Sequence, residues 1–515
     1  MYTRIFSAAV IGIEGFCVEV EVDISNGLPC FEVSGLAASS VREARDRVRA
    51  AIRNSGFEFP LQRITINLAP ADVRKAGSML DCAMAVGILV ATKQIFPRVD
   101  LNGLLVLGEL SLEGNLRPIH GILPMVLAAK KAGFQKVMIP ATCVEEAERG
   151  KLPVYRMETL NHCVNFLTNP SNWVPAKRGI TAIHNKKNTQ EEGFLCFRDV
   201  KGNSHAKKAL EVAAAGNHHV LMVGPPGTGK TMMAKRFQTI LPHLNEEQAL
   251  EVDCIYSSSG ILSERDGFDC MPPFRAPHPT ISVVGLTGGG AIPHPGELSL
   301  AHHGVLFLDE LPEFSRSVLE IIRQPIEEGK IIIIRNGIRM IFPSRFLLIA
   351  SLNPCPCGFN GFEKDQHACT CSQYEVKRYR KKLSGPFLDR IDVQIEVPRV
   401  DVEEMRQETG PSSKEIKERV EKAREIQSGR FKGKSFQFNS DLSGRWIKHY
   451  IPLSRSSEKW LHSLYDSLGI SNRSFDKIIK MARTIADLAG DEKVGEEHLS
   501  EAVQYRTLDH RFWSE

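Results

Sequence analysis

The sequence contains no run of about 18 or more apolar residues, which is the length that an α-helix needs to cross a membrane. Its N-terminus has no long apolar block followed by small residues, as a secretory signal would have. A strong charge is also missing, because a net charge of +4 is weak on 515 residues and points to no particular partner. Low-complexity tracts and convincing internal repeats are absent as well. These absences predict a cytoplasmic protein without a membrane partner, and the length of 515 residues predicts several globular domains.

The chain divides into four regions by composition and periodicity. In residues 1–168, β-branched strand patterns alternate with helical patterns, which predicts an α/β domain. Residues 169–193 are polar and aperiodic, which is typical of a linker. Residues 194–400 alternate strand and helix again, and residues 401–515 are charged and helical, which predicts a lid. The predicted fold class is therefore α/β and multidomain, with a C-terminal α-helical lid.

A glycine-rich loop, GPPGTGKT, stands between four apolar strand residues and a helical pattern. Its glycines let successive backbone amides face a phosphate, and the helix N-terminus adds a partial positive charge. Lys230 is placed to reach the terminal phosphates, and Thr231 can bind magnesium. The predicted nucleotide-binding residues are Gly224, Pro225, Pro226, Gly227, Thr228, Gly229, Lys230 and Thr231. The loop predicts a protein that hydrolyses ATP with Mg²⁺.

Two further strands end in polar side chains suited to the same chemistry. The strand pattern VLFL is followed by Asp309, a candidate magnesium ligand, and Glu310, a candidate base for the attacking water. Without the glycine-rich loop, this acidic pair would be an ordinary solvated strand end. The strand FLLIASL delivers Asn353, whose amide is placed to hold the water against the γ-phosphate. Because such strand ends gather at one edge of an open α/β sheet, we expect these residues to meet.

Arg390, in the segment SGPFLDRID, is a candidate arginine finger. Phosphoryl transfer is helped by a positive side chain on the γ-phosphate, and an arginine supplied by a neighbouring subunit couples the subunits. The alternative is an ion pair of Arg390 with Asp389 or Asp392.

The motifs follow one another in a specific order along the chain. The glycine-rich loop is followed by GFDCMPPFRAPHPTISVVGLTGGGAIPHPGELSLAHHGVLFLDELPEF, then by SLNPCPCG and SGPFLDRID. This order resembles the magnesium-chelatase-like AAA+ ATPases, and within them the ComM/YifB family, over nearly the whole chain. The resemblance implies an AAA+ core with a helix-2 insert at about 268–295 and a hairpin before sensor 1. Arg473 matches the family's sensor 2 arginine, with Arg483 as the second candidate.

The same resemblance implies a function and a partner. It implies a homo-oligomeric ring, expected to be a hexamer, with DNA helicase or branch-migration activity in natural transformation. The alternative is a chelatase-type ATPase that remodels a protein partner during metal insertion. A front domain similar to Lon protease and the paired cysteines favour the first interpretation. No base-reading motif is present, so DNA binding is expected from the resemblance and a few basic positions.

Residues 330–342 read KIIIIRNGIRMIF, two β-rich runs joined by an Asn-Gly pair, which predicts a β-hairpin. Lys330, Arg335 and Arg339 are candidate contacts to DNA phosphates on this hairpin. The alternative is that these charges form a solvated strand face.

Most of the 12 cysteines are scattered, but the insertion 354–372 contains two CxC pairs. The four cysteines are Cys355, Cys357, Cys369 and Cys371. Four thiolates fit a tetrahedral zinc site, which would hold an insertion with little apolar content. Because CxC spacing strains ligation by both members of a pair, His367 is an alternative ligand. A redox pair and unpaired thiols are the other interpretations.

The first domain resembles the catalytic domain of Lon protease, most clearly over GELSLEGNLRPIHGILPMVLAAKKAGFQKVMIP. At the position where the active proteases carry the catalytic lysine, this chain has Leu123, followed by Pro124. Ser78 lies near the position of the nucleophile, although Met79 is the alternative match. Since a serine without an activating partner is a weak nucleophile, we expect a structural or assembly domain.

Overall fold

The computed structural model describes most of the chain. The described residues are 1–35, 39–71, 75, 77–176, 195–262, 270–290, 293–335, 338–362, 368–400, 410–468, 472–506, 508 and 512. Among the helices in these ranges, none is both long and apolar enough to span a bilayer.

The N-terminal region forms a mixed sheet with helices. Its elements are β1 (Tyr2–Ile11), β2 (Glu14–Ser25), β3 (Cys30–Ser34), α1 (Ser39–Asn54), β4 (Arg63–Ala69), α2 (Asp81–Ala91), β5 (Leu104–Val106), β6 (Glu109–Leu110), β7 (Leu116–Arg117), α3 (Ile122–Lys131), β8 (Lys136–Pro140), α4 (Val144–Glu148), β9 (Val154–Met157) and α5 (Leu160–Thr168). Seven strands pair in the order β3-β4-β2-β1-β5-β8-β9. The pairs β1-β2 and β2-β4 are antiparallel, and the other pairs in this sheet are parallel. The predicted alternation of strands and helices is confirmed.

This sheet packs its helices through alternating side chains. Val18, Val20, Val22 and Ile24 of β2 are buried at every second position, as expected for a strand with one covered face. Helix α2 is buried along almost its whole length and packs against β1 and β2. The region therefore has its own hydrophobic core, which includes the buried residues of β2, β4 and α2.

The central region contains the strand that precedes the glycine-rich loop. Its elements are α6 (Ser204–Gly216), β10 (Val220–Val223), α7 (Lys230–Phe237), α8 (Glu246–Ser259), β11 (Phe274–Arg275), α9 (Val283–Thr287), β12 (Gly288–Gly289), β13 (His294–Pro295), α10 (Glu297–Leu300), β14 (Val305–Leu308), α11 (Arg316–Glu328), β15 (Lys330–Arg335), β16 (Ile338–Pro343), β17 (Leu347–Leu352), α12 (Gln373–Arg380), α13 (Gly385–Leu388) and β18 (Val393–Glu396). Five strands pair in the order β11-β14-β17-β10-β18, and all of these pairs are parallel. Val223 lies opposite Leu352, so Gly224 and Asn353 leave the sheet at the same edge.

The predicted hairpin is present as β15 and β16. The strands pair antiparallel from Lys330 with Pro343 to Arg335 with Ile338, which leaves two residues for the loop. Those two residues, at 336 and 337, lie outside the described residues. The expected insert at 268–295 is described over 270–290 and 293–295, and it contains β11, α9 and the antiparallel pair β12-β13.

The C-terminal region is helical, as predicted. Its helices are α14 (Ser413–Arg430), α15 (Arg445–Tyr450), α16 (Arg455–Leu468), α17 (Asn472–Ala489) and α18 (Glu496–Gln504). Helices α14 and α17 both pack against α6 of the central region. The Arg419 guanidinium donates two hydrogen bonds to the Glu211 carboxylate, at 2.5 and 3.2 Å. One hydrophobic core runs from the central sheet into these helices, so the lid is firmly attached.

Helix α8 also contacts the N-terminal region. Arg149 forms a buried ion pair with Asp253 of α8, and the Ser257 hydroxyl donates a hydrogen bond to Glu146. The N-terminal region continues past the predicted boundary at Asn169, since the Ala176 amide donates to the Val154 carbonyl, at 2.8 Å. The rest of the predicted linker, from 177 onward, lies outside the described residues.

Candidate functional site

The glycine-rich loop follows the buried strand β10 and leads into helix α7. Gly227 and Gly229 have φ values of +77° and +89°, which residues with a Cβ rarely adopt. At Gly224, an added Cβ would lie 2.2 Å from the Val397 carbonyl oxygen, so a side chain does not fit. The loop is therefore a tight turn at a helix N-terminus, which is a favourable position for a phosphate.

The Lys230 ammonium is buried within this loop. It donates hydrogen bonds of 2.7 Å to the carbonyl oxygens of Gly224 and Pro225. Burial lowers the pKa of Lys230 to about 8, while the carboxylates of Asp309 and Glu310 act in the opposite direction. A pKa near 8 leaves this ammonium mostly protonated at neutral pH, so its positive charge is available to attract a phosphate.

Two side chains that could hold magnesium meet between the loop and strand β14. The Thr231 hydroxyl donates a 2.7 Å hydrogen bond to Oδ2 of Asp309. The other carboxylate oxygen, Oδ1, accepts a hydrogen bond from the Ser351 hydroxyl. A hydroxyl and a carboxylate at this distance are hard oxygen donors of the kind that Mg²⁺ prefers. The residues predicted to bind magnesium therefore lie together, with Ser351 fixing the carboxylate.

Glu310 combines an unusual backbone conformation with an exposed side chain. Its φ value is +51°, which is uncommon for a residue with a Cβ and is held only by surrounding contacts. The Glu310 amide donates to Oδ1 of Asp309 at 3.1 Å and to the Ser351 hydroxyl at 3.3 Å. Ser351 thus supports both acidic residues, a role that the sequence interpretation missed. The available signal was one hydroxyl inside the otherwise apolar strand FLLIASL.

Asn353 follows β17 and reaches the phosphate loop. Its Oδ1 accepts a hydrogen bond from the Lys230 ammonium at 3.3 Å. The structure therefore brings together Lys230, Thr231, Asp309, Glu310 and Asn353 from three neighbouring strands, as expected from the sequence.

Arg390 lies away from the residues that meet at the glycine-rich loop. It lies three residues before Val393, the first residue of β18, which is opposite Val220 at the start of β10. Since the glycine-rich loop follows the other end of β10, Arg390 is at the opposite edge of the sheet from its own phosphate loop. Its side chain is only 14% exposed and forms a 2.6 Å ion pair with Glu327.

This pairing corrects the alternative considered from the sequence, in which Arg390 binds Asp389 or Asp392. Asp389 instead pairs with Arg473, at 3.3 Å. The Asp392 carboxylate lies 3.3 Å from His218 Nδ1. The neighbouring acids were the wrong partners because Glu327 is distant in the sequence and is brought close only by the fold.

Arg390 and Arg473 line one cavity of about 660 Å³ between the central region and the lid. None of the described residues that line it belongs to the glycine-rich loop or to the acidic pair. Arg473 is 70% exposed, so it is accessible from outside the chain. The two arginines of one chain therefore share a face that is separate from its own nucleotide site.

The segment that carries Arg390 is fixed by the lid. The Lys477 ammonium, on α17, donates a 2.8 Å hydrogen bond to the Ile391 carbonyl and another to the Asp389 carbonyl. Arg506 donates to the Ile391 carbonyl as well. Three carbonyl contacts from the lid thus hold the backbone on both sides of Arg390.

Arg483, the second candidate for sensor 2, is buried inside the lid. Its guanidinium donates to Asp487 at 3.1 Å and to the Glu492 carbonyl at 2.8 Å. Arg430 binds the same Asp487 carboxylate, at 2.9 Å. A buried arginine in such a network stabilises the lid, which leaves Arg473 as the accessible candidate.

The hairpin presents its basic residues to solvent. Lys330, Arg335 and Arg339 are all exposed. Ile334, directly opposite Arg339 in register, is also exposed. The hairpin base is buried instead, with Phe342 packed into the core beside the turn at Gly12 of the N-terminal region. The outer part of the hairpin is therefore a mixed basic and apolar surface.

The four cysteines of the insertion converge on one point. Their sulfur atoms all lie within 4.8 Å of one another. Cys355 Sγ is 3.3 Å from Cys357 Sγ and 3.8 Å from Cys369 Sγ, and Cys371 Sγ accepts a 3.4 Å hydrogen bond from the Cys357 amide. Tetrahedral zinc thiolates have sulfur separations of about 3.8 Å, from Zn–S bonds near 2.3 Å. The CxC spacing thus does not prevent convergence, and the alternative ligand His367 lies outside the described residues.

In the N-terminal region, the structure shows the surroundings of Leu123 and Ser78, the two positions compared with the Lon protease site. Leu123 is fully buried in α3. The Ser78 hydroxyl donates to the Glu109 carboxylate. Lys75 is near in the sequence, but it is buried and donates to backbone carbonyls, including that of Leu68 at 3.0 Å. In the described part of this region, the Ser78 hydroxyl thus binds a carboxylate and not a lysine.

Comparisons with known proteins identify the family of the chain. The family model described as magnesium chelatase, subunit ChlI, matches residues 196–405. The models for subunit ChlI of Mg-chelatase and for the ChlI C-terminal part match residues 20–143 and 410–506. The competence protein ComM of Haemophilus influenzae is 40% identical over 508 residues, which cover 98% of this chain and 97% of that protein. The chain belongs to the ComM/YifB family of magnesium-chelatase-like proteins.

Other relatives are consistent with membership of the ComM/YifB family. The YifB protein of Salmonella typhimurium is 39% identical over 507 residues, covering 98% of this chain and 97% of that protein. Lon protease 2 of Bacillus subtilis is 30% identical over 184 residues, covering 31% of this chain and 33% of that protein. As a ComM/YifB protein, the chain is a magnesium-chelatase-like AAA+ ATPase with ATP and Mg²⁺ as cofactors. The resemblance to Lon protease is partial.

Proposed function

We propose that this chain is one subunit of a ring-shaped, ATP-driven DNA motor that promotes branch migration during homologous recombination in natural transformation. The observation that carries the proposal is the position of Arg390, at the opposite sheet edge from its own phosphate loop. Such a position supports a site completed by a neighbouring subunit. The similarity to the Haemophilus influenzae competence protein supports the biological process. We propose a hexamer that acts in the cytoplasm, as the family resemblance implies.

Hydrolysis follows from the side chains that meet at the sheet edge. Thr231 and Asp309 would hold a magnesium ion, which when bound would supply positive charge to the phosphates. Lys230 leaves its carbonyl partners for the terminal phosphates, and Glu310 orients the attacking water and accepts its proton. Asn353 positions the same water. These residues form all of the site except the positive charge on the far side of the γ-phosphate.

The missing charge is assigned to Arg390 of the adjacent subunit, with Arg473 beside it. Both arginines line the same cavity, and Arg473 is highly exposed. An arginine supplied in this way stabilises the negative charge of the transition state. Hydrolysis then depends on assembly, since no single chain holds a complete site.

DNA contact is assigned to the hairpin β15-β16. Lys330, Arg335 and Arg339 are exposed there and are placed to contact phosphates. Contacts of this kind carry no sequence preference and weaken as salt rises. This agrees with a motor that moves along DNA of any sequence.

A branch-migration assay tests the proposal. A synthetic three- or four-stranded junction is incubated with the wild-type protein, with and without ATP, beside the Glu310→Gln variant. We expect ATP-dependent strand exchange by the wild type alone. An active ATPase that leaves the junction unchanged would show that the DNA assignment is wrong. That outcome would favour the second candidate, a chelatase-type remodeller of a protein partner in metal insertion, which the three chelatase family models support.

We propose that the N-terminal domain is a structural or assembly domain and not a protease. Leu123 is buried where a catalytic lysine is expected, and Ser78 binds the Glu109 carboxylate. ATP-dependent casein cleavage that disappears in Ser78→Ala would contradict this assignment. The buried ion pair of Arg149 with Asp253 supports a role in holding α8 of the ATPase core.

We further propose that Cys355, Cys357, Cys369 and Cys371 bind one structural zinc ion. The sulfur separations support this assignment, because they match tetrahedral thiolate ligation. Elemental analysis of anaerobically purified protein should give one zinc per chain. Cys371→Ser should lose it, whereas Cys30→Ser, at an exposed cysteine outside the cluster, should keep it. A zinc-free wild-type protein would exclude the site.

A further inference from the structure

The four-cysteine cluster is directly connected to the nucleotide site. Cys355 is two residues after Asn353, whose amide oxygen accepts the hydrogen bond from Lys230. Cys355 is fully buried, and its sulfur accepts a 3.4 Å hydrogen bond from the backbone amide of Asn360. Any change in the position of the first cysteine pair therefore acts on Asn353 through a single intervening residue, Pro354.

A second connection runs through space to the phosphate loop. Gly358 has a φ value of +91° and lies in the turn formed after the first cysteine pair. A Cβ added to Gly358 would be 2.6 Å from Cδ and 3.2 Å from Cγ of Pro226. Real Cβ atoms do not approach that closely, and a proline ring has no rotamer that would move it away. The cysteine turn thus packs its bare backbone against the second proline of GPPGTGKT.

A third connection comes from the helix that follows the second cysteine pair. Helix α12 begins two residues after Cys371, and the Ser372 side chain between them accepts a hydrogen bond from the Glu375 backbone amide. At the end of this helix, Arg380 donates to Asn360 Oδ1 at 3.0 Å and to the Pro354 carbonyl at 3.4 Å. Arg380 thus ties the helix that follows the second cysteine pair to Pro354 and Asn360, which lie on either side of the first cysteine pair.

Few apolar side chains stabilise this arrangement. Between Pro354 and Ser372, the described residues that are buried are Pro354, Cys355 and Gly358. A loop with so little apolar burial does not offset the entropy of its own ordering. Metal ligation, which supplies folding free energy to small sites, would add to the Arg380 hydrogen bonds in fixing it.

We infer that zinc at this cluster controls ATP hydrolysis, because the metal-ordered turn at Gly358 holds Pro226 and Asn353 in their working positions. The inference rests on the proposed ATPase function and on the proposed zinc site. It assigns the metal a role in the nucleotide site itself, beyond stabilising the insertion. Loss of the metal would therefore let both Pro226 of the glycine-rich loop and the Asn353 side-chain amide shift from these positions.

The variant Gly358→Ala tests the contact without touching a metal ligand. Its matched control is Gly361→Ala, because Gly361 also has a left-handed backbone, with φ of +78°, but an added Cβ there meets nothing within 4 Å. Both variants carry the same kind of backbone strain, and only Gly358→Ala is pressed against Pro226. Zinc per chain, affinity for a fluorescent ATP analogue and ATP turnover are measured for the full-length protein.

We expect Gly358→Ala to keep one zinc per chain and to lose about 10²-fold in ATP turnover, as a misplacement of about 1 Å can cause. Gly361→Ala should stay within about twofold of the wild type. Adding Pro226→Ala to Gly358→Ala removes the ring and should restore part of the lost turnover. Chelation of zinc from the wild type should lower turnover similarly, and added zinc should restore it.

The outcomes separate the three proposals. A wild type without ATP turnover overturns the proposed function and the inference with it. An active wild type without zinc overturns the zinc site and the inference. If zinc is bound and Gly358→Ala matches Gly361→Ala, only the control of hydrolysis is overturned. A Gly358→Ala protein that loses zinc and is not rescued by Pro226→Ala also contradicts the inference, because the clash would then lie within the cluster.

Discussion

Replacing Glu310 with glutamine should lower ATP turnover about 10²–10⁴-fold, the contribution typical of a positioned general base. The amide cannot accept the proton of the attacking water, but it is almost the same size as the carboxylate. The proposed magnesium ligands Thr231 and Asp309 are unchanged in this variant, so ATP should stay bound. Single-turnover hydrolysis and binding of a fluorescent ATP analogue measure the two properties separately.

A matched control for this variant is Glu313→Gln. Glu313 is an exposed acid three residues further along, paired with Lys382 at 3.5 Å on the surface. The Glu313→Gln substitution should leave ATP turnover within about twofold of the wild type, as surface substitutions usually do. Normal turnover in Glu310→Gln would mean that another group activates the water.

Arg390→Ala should lower ATP turnover about 10³-fold or more, which is the range for an arginine supplied in trans to a γ-phosphate. ATP affinity should change little, because the binding residues of the same chain are untouched. Mixing Arg390→Ala with a Lys230→Ala variant should restore hydrolysis at the interfaces where an intact phosphate loop meets an intact arginine. Turnover as a function of the mixing ratio measures this complementation.

The ion pair with Glu327 provides the control for Arg390. If Arg390 served only to bind Glu327 within its own chain, Glu327→Gln would lose as much activity as Arg390→Ala. We expect Glu327→Gln to retain most of the wild-type turnover, because Arg390 would act by contacting the γ-phosphate in the neighbouring subunit and not by binding the Glu327 carboxylate. Equal losses in the two variants, or no complementation, would place Arg390 within one subunit.

The nucleotide site was predictable because its signals are local. GPPGTGKT, the acids after VLFL and the asparagine after FLLIASL each sit at the end of a buried strand, and parallel strands bring such ends together. Ser351 was missed because its hydroxyl, the one polar side chain in FLLIASL, does not reveal which groups it contacts, and those contacts depend on the register of β17 against β14. The left-handed backbone of Glu310 is likewise a property of its surroundings.

Contacts between distant segments were not predictable. Glu327 and Arg390 are 63 positions apart, from their numbers in the chain, and nothing local connects them. The same applies to Gly358 with Pro226 and to Arg149 with Asp253. The convergence of the four cysteines was expected from their number, whereas their link to the phosphate loop required the fold.

The attachment of the Arg390 segment to the lid has a consequence for timing. Lys477 and Arg506 bind the carbonyls around Arg390, so this segment is tied to helix α17 of the lid as well as to β18 of the central sheet. In the proposed ring, a displacement of α17 in one subunit would be passed to the arginine that faces the next subunit, so neighbouring sites would be coupled in time.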